Sequence, residues 1–276
     1  MSNVVAFARN IFVKKNEDME ESKFATFKSL HAASKLLILP NAWDAESALI
    51  LQECKYPAVG TSSSAVAASL GYQDGEGMPF ADYLVIIRRI AASVAIPVTI
   101  DFEMGYGKTK EQVYANVQHL LDVGVVGINL EDSVIANGTR TLKDATEFAQ
   151  TLGFIKNKLD AGRQSLFINV RSDTYLLKVK DVENETSARL KIYESAGADG
   201  IFLPFISAGQ DIARVKAETR LPLNVMCLPG LPEIDALQKL GVNRVSMGPF
   251  LHNKVYNNAR ELAKKVIEQN SLTAIL

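Results

Sequence analysis

Short β-branched runs alternate with longer stretches of helical period along the whole chain, and no other feature restricts the fold as much. Eight runs read as strands: Leu36–Pro40, Ala58–Ser62, Pro97–Phe102, Val126–Leu130, Leu166–Val170, Gly200–Leu203, Leu221–Val225 and Arg244–Met247. Between them, Phe80–Val94, Glu111–Val123, Asn184–Ala196 and Gln210–Thr219 repeat apolar residues at three and four, the period of a helix with one buried face. Val123-Gly124-Val125, Ala196-Gly197-Ala198 and Leu240-Gly241-Val242 share one junction, a Gly closing a helix before the next strand. Eight strand-helix units in 276 residues match a closed α/β barrel of the (β/α)8 TIM type, which takes about 250 residues. An open doubly wound sheet would favour G-x-G-x-x-G after its first strand, where Asn41-Ala42-Trp43-Asp44 stands instead. Residues 22–276 therefore read as one barrel domain. A helix from about Ser22 to Ala33 is expected to cover the barrel bottom or a neighbour, and Met1–Glu21 reads as a tail with some mobility.

Composition narrows the function classes. Lys plus Arg number 30 against 31 Asp plus Glu, a formal charge of -1, which offers no electrostatic basis for a nucleic-acid or membrane partner. Cys54 and Cys227 belong to no C-x-x-C or Cys/His cluster and are expected as buried free thiols in a reducing compartment. The start of the chain lacks the apolar core and cleavage site of a signal peptide, and charges interrupt every later apolar run, so a soluble cytoplasmic protein is expected.

Barrel enzymes carry their chemistry at the carboxyl ends of the strands, and polar residues collect there. The second run leads into Thr61-Ser62-Ser63-Ser64, the third into Asp101-Phe102-Glu103, the fourth into Glu131-Asp132 and the fifth into Arg171-Ser172-Asp173, with Trp43 and Asn224 added by the first and seventh. Adjacent strands lie about 4.8 Å apart, so Asp101, Glu103 and Glu131 are expected within a few ångströms of one another. Their repulsion calls for a cation, and an all-oxygen donor set selects Mg²⁺, or Mn²⁺ as a substitute. Arg171 can balance the remaining charge and grip a substrate carboxylate, or serve as a structural partner of Glu131 and Asp173. Ser62–Ser64 can cap the helix that follows and offer its first amides to a carboxylate. His31, His119 and His252 fall in predicted helices, where surface or packing roles are expected, and Ser62 lacks the nucleophile elbow of a hydrolase.

These residues resemble the isocitrate lyase/phosphoenolpyruvate mutase superfamily from about Leu39 to Pro249. The strongest match is Asp101-Phe102-Glu103-Met104-Gly105-Tyr106-Gly107, similar to that family's metal motif. Ser63–Gly71 with Asp74, Gly127–Asp132 and Asn169–Asp173 support it. The resemblance implies a modified barrel whose last helix is swapped between subunits of a homodimer or homotetramer. It also implies Mg²⁺ on Asp101, with Glu103 and Glu131 acting through water. Substrate would lie on Ser62, Ser63, Ser64, Arg171, Trp43 and Asn224, with Asp74 as an acid behind the metal. The substrate implied is a small 2-oxo acid or its adduct, broken at C3 through an enolate.

The sequence departs from the family where lyases carry a Lys-Lys-Cys-Gly-His-like loop. Here Asp132-Ser133-Val134-Ile135-Ala136-Asn137-Gly138-Thr139-Arg140 has no Cys, Lys or His, so the usual proton donor is missing. Leu203-Pro204-Phe205 likewise replaces a lyase carboxylate. The expectation is C–C cleavage of lyase or decarboxylase type, with Asn137, Thr139 and Arg140 on a mobile loop and Asn137 and Thr139 counted with Arg171 and Asp74 as catalytic. Phosphonopyruvate mutase or hydrolase chemistry is the alternative, followed by a non-catalytic carboxylate-binding barrel.

Overall fold

The computed structural model describes residues 21–276. Of the tail expected over Met1–Glu21, residues 1–20 lie outside the described residues. The described residues 21–32 are helical, α1, and the helix ends within one residue of the expected Ala33.

All eight expected strands are present. In chain order they are β1 (Leu37–Leu39) with β2 (Asn41–Ala42), β3 (Val59–Thr61), β4 (Val98–Asp101), β5 (Gly127–Glu131), β8 (Phe167–Arg171), β9 (Gly200–Phe202), β10 (Leu223–Met226) and β11 (Arg244–Ser246). Every pairing among them is parallel, in the order β1-β11-β10-β9-β8-β5-β4-β3-β2. The sheet closes through Pro40, which has no N–H and splits the first strand in two. β1 pairs with β11, and Met247 N donates to Leu39 O at 3.1 Å; β2 pairs with β3, and Gly60 N donates to Pro40 O at 2.9 Å.

The alternation within each strand decides what lines the barrel. In β5, Ile128 and Leu130 pack outward in the main apolar core, while Asn129 and Glu131 fall on the opposite face; in β8, Ile168 and Val170 do the same against Asn169 and Arg171. Helices follow the strands, and in the longer ones packed on the outer face the buried residues are mostly spaced by three or four as expected. These helices are α2 (Ala45–Glu53), α3 (Ser63–Ser69), α4 (Phe80–Ser93), α5 (Lys110–Asp122), α6 (Ala145–Ala161), α7 (Val182–Ser195), α8 (Gly209–Glu218), α9 (Ile234–Lys239) and α10 (Phe250–Gln269). In α4 they are Tyr83, Ile87 and Ile90; in α6, Phe148, Leu152, Ile155 and Leu159. Gly124, Gly197 and Gly241 have the left-handed backbone expected at the shared junction. From α1, Phe27 packs with Ala58, Val126 and Phe167, residues at the amino ends of strands, so α1 plugs the barrel bottom.

The segment after β5, where Asn137, Thr139 and Arg140 are expected on a loop, is a β-hairpin, β6 (Ser133–Ala136) and β7 (Thr139–Leu142). Its turn residues, Asn137 at φ 51° and Gly138 at φ 76°, have the positive φ of a tight hairpin turn, and the Asn-Gly pair is the sequence signal for it. Both cysteines are exposed rather than buried, Cys54 at the end of α2 and Cys227 just past β10. Among the described residues, no helix is long and apolar enough to cross a membrane.

The histidines take the surface or packing places expected, His119 exposed and His31 and His252 buried. His31 is 2% exposed, stacks on Phe167 with ring centroids 4.3 Å apart, and places Nδ1 2.8 Å from Phe27 O. Burial, reinforced by Arg244, pulls its pKa down to about 3 from an ordinary 6.5. The unfolded chain therefore binds a proton here that the folded chain does not, so His31 costs stability as pH falls from about 6.5 toward 3. His31→Phe should flatten the fall in unfolding free energy between pH 6.5 and 5 by up to about 1.4 kcal/mol per pH unit. Urea unfolding across that range, compared with wild type, measures it.

Candidate active site

Closure of the sheet brings the expected residues to one mouth. Asp101, Glu131 and Arg171 are the last residues of β4, β5 and β8, while Trp43 and Ser62 immediately follow β2 and β3. Asp101 is half-buried; its Oδ2 accepts from Ser63 Oγ at 2.8 Å and Ser63 N at 3.3 Å, and its Oδ1 faces Asn129 Nδ2 at 3.5 Å. Ser63 Oγ also lies 3.1 Å from Asp74 Oδ1. Asp74 is exposed as a residue, yet its carboxyl turns inward, where desolvation and then the Asp101 charge raise its pKa. Ser63 thus holds Asp101, while Ser62 caps α3 through Ala65 N.

Glu103 is held by its own neighbours. It follows β4 with φ 49°, a left-handed backbone uncommon outside Gly, and its side chain is committed to Tyr106 and the loop before α4. Tyr106 Oη donates to Glu103 Oε1, and Glu76 N donates to Oε2 at 2.8 Å. Burial pushes Glu103 up to about 8.

Glu131 is fully buried and already balanced by arginine. Arg140 Nη1, from the hairpin, donates to its Oε1 at 2.6 Å, and Arg171 Nε lies 3.0 Å from Oε2. Asp173 shares both cations, with Arg171 Nε at 2.7 Å and Arg140 Nη1 at 3.1 Å. Burial opposes the charge on Arg171, but Glu131 and Asp173 hold its pKa above the ordinary value. Behind this group, buried Asp132 accepts from Ser172 Oγ at 2.7 Å, Tyr193 Oη at 2.8 Å and Arg189 Nη1 at 3.1 Å, and takes Asp173 N on Oδ1 at 3.0 Å. Arg189 and Tyr193 project from α7, which no local sequence signal connects to the mouth. Asp101 and Glu131 still act on Glu103 and raise its pKa beyond the effect of burial, while the charge of Glu131 is offset by Arg171 and Arg140.

Other expected residues lie apart. Asn137 and Thr139 are exposed around the hairpin turn, whereas Arg140, the second residue of β7, reaches the carboxylates. Asn224 is 1% exposed and turns to Ser246 inside the barrel. Trp43 is buried with its ring edge on His252, Ser64 is half-buried, and Phe205 is exposed beyond β9. A cavity of about 1070 Å³ lies beside the mouth, where Glu76, Phe80, Tyr106, Ile135, Lys143 and Phe148 meet.

Among the described residues, no three acidic, histidine or cysteine side chains form a ready metal cage. The donor chemistry nevertheless fits a hard divalent ion. Asp101 Oδ1 has one long contact, to Asn129 Nδ2, while buried Glu131 Oε2 accepts no hydrogen bond but faces the Arg171 guanidinium at 3.0 Å. Asp101 and Glu131, with Glu103 beside them, are the residues that would hold such an ion.

The pattern of the phosphoenolpyruvate phosphomutase family matches residues 27–267. An uncharacterized protein of Mycobacterium tuberculosis is 30% identical over 247 residues, 90% of this chain and 91% of that protein. An oxaloacetate decarboxylase of Bradyrhizobium sp. ORS 278 is 28% identical over 196 residues, 70% of this chain and 66% of that protein. A crystal structure from Burkholderia cenocepacia J2315, provisionally described as a phosphonomutase, superposes with a TM-score of 0.83 at 35% identity, over 88% of this chain and 99% of that one.

Because Asp132 and Arg189 are both buried, removing either strands the other's charge. Asp132→Ala is expected to destabilise the fold by about 3–5 kcal/mol, with Arg189→Met similar and the double variant less than additive. Chemical denaturation of the three variants measures this.

Proposed function

Because this chain belongs to the phosphoenolpyruvate phosphomutase family, we propose that it is a Mg²⁺-dependent enzyme that cleaves a C–C bond of a small 2-oxo acid through an enolate. The observation that carries this reading is a mouth with Asp101, Glu103, Glu131 and Arg171, over which the hairpin Ser133–Leu142 brings no thiol, ammonium or imidazole.

Mg²⁺ bound there would supply a Lewis acid to the keto oxygen. Arg171 binds the substrate carboxylate and supports negative charge as it develops. Ser62 and Ser64 are assigned to the same end of the substrate, while Ser63 and Asp74 keep Asp101 oriented. Arg140 neutralises Glu131 and Asp173 and offers a second guanidinium to a dicarboxylate. With no acid on the hairpin, the enolate takes its proton from solvent, which suits an oxaloacetate-like acid better than isocitrate or 2-methylisocitrate. The likeness to an oxaloacetate decarboxylase supports that ranking. The likeness to a protein provisionally described as a phosphonomutase favours phosphonopyruvate as the second reading.

A Mg²⁺-supplemented panel of oxaloacetate, other 2-oxo acids, isocitrate, 2-methylisocitrate and phosphonopyruvate, followed by product NMR, tests the proposal. Oxaloacetate should yield pyruvate and CO₂; turnover of phosphonopyruvate alone would sink it. In Mn²⁺ titration calorimetry, Asp101→Ala should abolish binding, while Glu103→Gln and Glu131→Gln weaken it by about 10–100-fold.

We also propose a homo-oligomer built on α10. That helix buries only His252, while Val255, Tyr256 and Ile267 are exposed along it, as expected of a helix that packs on another subunit. Truncation after Pro249 should convert the oligomer to smaller species in analytical ultracentrifugation.

A further inference from the structure

Inside the barrel, Arg244 stands out. It is the first residue of β11 and is 1% exposed, yet among the described residues no carboxylate pairs with its guanidinium. Its Nη2 donates to Asn129 Oδ1 at 2.8 Å, while Nε and Nη1 have no hydrogen-bond partner. A buried, unpaired cation is costly, and an apolar side chain of similar volume would serve the core as well or better. Packing alone therefore gives no reason for an arginine at this position.

The chemistry of Asn129 supplies one. Its side-chain oxygen receives two donors, Arg244 Nη2 and Asn169 Nδ2, the latter at 2.9 Å. A guanidinium has donors only, so the atom facing it must be the amide oxygen, and this fixes which way the amide is turned. The amide nitrogen then points toward Asp101 Oδ1, 3.5 Å away. Asn129 and Asp101 are partners in the β4–β5 register, which sets their side chains on one face of the sheet. Ser63 fixes the other carboxylate oxygen, so Asp101 is located from both sides. Burial opposes the charge of Arg244, and Asp101 is the carboxylate whose charge supports it.

We propose that Arg244 is a positioning residue: through Asn129 it orients the Asp101 carboxylate at the mouth for cation binding. This rests on the reading of Asp101 as a cation ligand. Arg244 meets the column from below, so its effect reaches the site by hydrogen bonding within the barrel.

The test is Mn²⁺ titration calorimetry with thermal melts on the full chain for Arg244→Met, Asn129→Leu, the double variant, Arg244→Lys and Asp101→Ala. Each of the first two should weaken Mn²⁺ binding by about tenfold, the double variant should lose no more than either alone, and Arg244→Lys should recover most of the affinity. Arg244→Met should melt at or above the wild-type temperature. Unchanged or tighter Mn²⁺ binding in Arg244→Met and Asn129→Leu, or losses that multiply in the double variant, would overturn the proposal. If Arg244→Met does not fold, Asn129→Leu decides alone, because it removes the link without altering charge. Wild-type affinity in Asp101→Ala would instead defeat the reading of Asp101 itself, whereas loss there with no change in the Arg244 and Asn129 variants defeats only the column.

Discussion

Closure of the sheet at the first strand governs the rest of the molecule. Pro40 divides that strand so that Leu37–Leu39 bond to the last strand and Asn41–Ala42 to the second. With every strand parallel and the circuit complete, all carboxyl ends face one way. Asp101, Glu131 and Arg171 meet there although 70 residues separate the first from the last. Their proximity is a property of the ring, and a sheet left open at Pro40 would not enforce it.

The charges assembled at that mouth are balanced locally. Glu131, Asp132 and Asp173 are buried carboxylates, and Arg140, Arg171 and Arg189 are the cations that face them. Low dielectric makes an unpaired member of such a group costly, which ties the hairpin, β8 and α7 into one unit. The hairpin is held near its turn by Arg140, while Ile135 lies on the loop at Gly75, where an added Cβ would approach its Cδ1 to 2.3 Å. Arg171 thus shares with Arg140 the carboxylates that fix the hairpin.

The interior adds a second polar layer beneath the mouth. Barrels of this type are usually filled by branched aliphatic side chains, but here the bore holds two hydrogen-bonded polar sets, Asn169–Asn129–Arg244 and Asn224–Ser246. Most of the apolar core lies on the outer face and in the α1 plug around Phe27 and Phe167, with Phe202 in register with Arg171 and Asn224. Polar groups in the bore extend the mouth inward and give its residues fixed partners from below.

The sequence by itself determined the architecture, because the two periods are local: alternation at two and recurrence at three and four mark each strand and helix without reference to the rest of the chain. It also marked Asp101, Glu131 and Arg171, since each directly ends an apolar run. The hairpin was equally local, signalled by Asn137-Gly138 between alternating residues. Tertiary structure alone decided where the charges go. Glu103 turns to Tyr106 and Glu76 because its backbone is left-handed, Arg140 reaches the mouth because the hairpin folds back, and Arg189 meets Asp132 across 57 residues of intervening chain. Arg244 reads in sequence as one more strand residue. Its inward face and its link to Asn129, 115 residues away, exist only once the ring has closed, because long-range pairing in a barrel is set by register around the whole circuit.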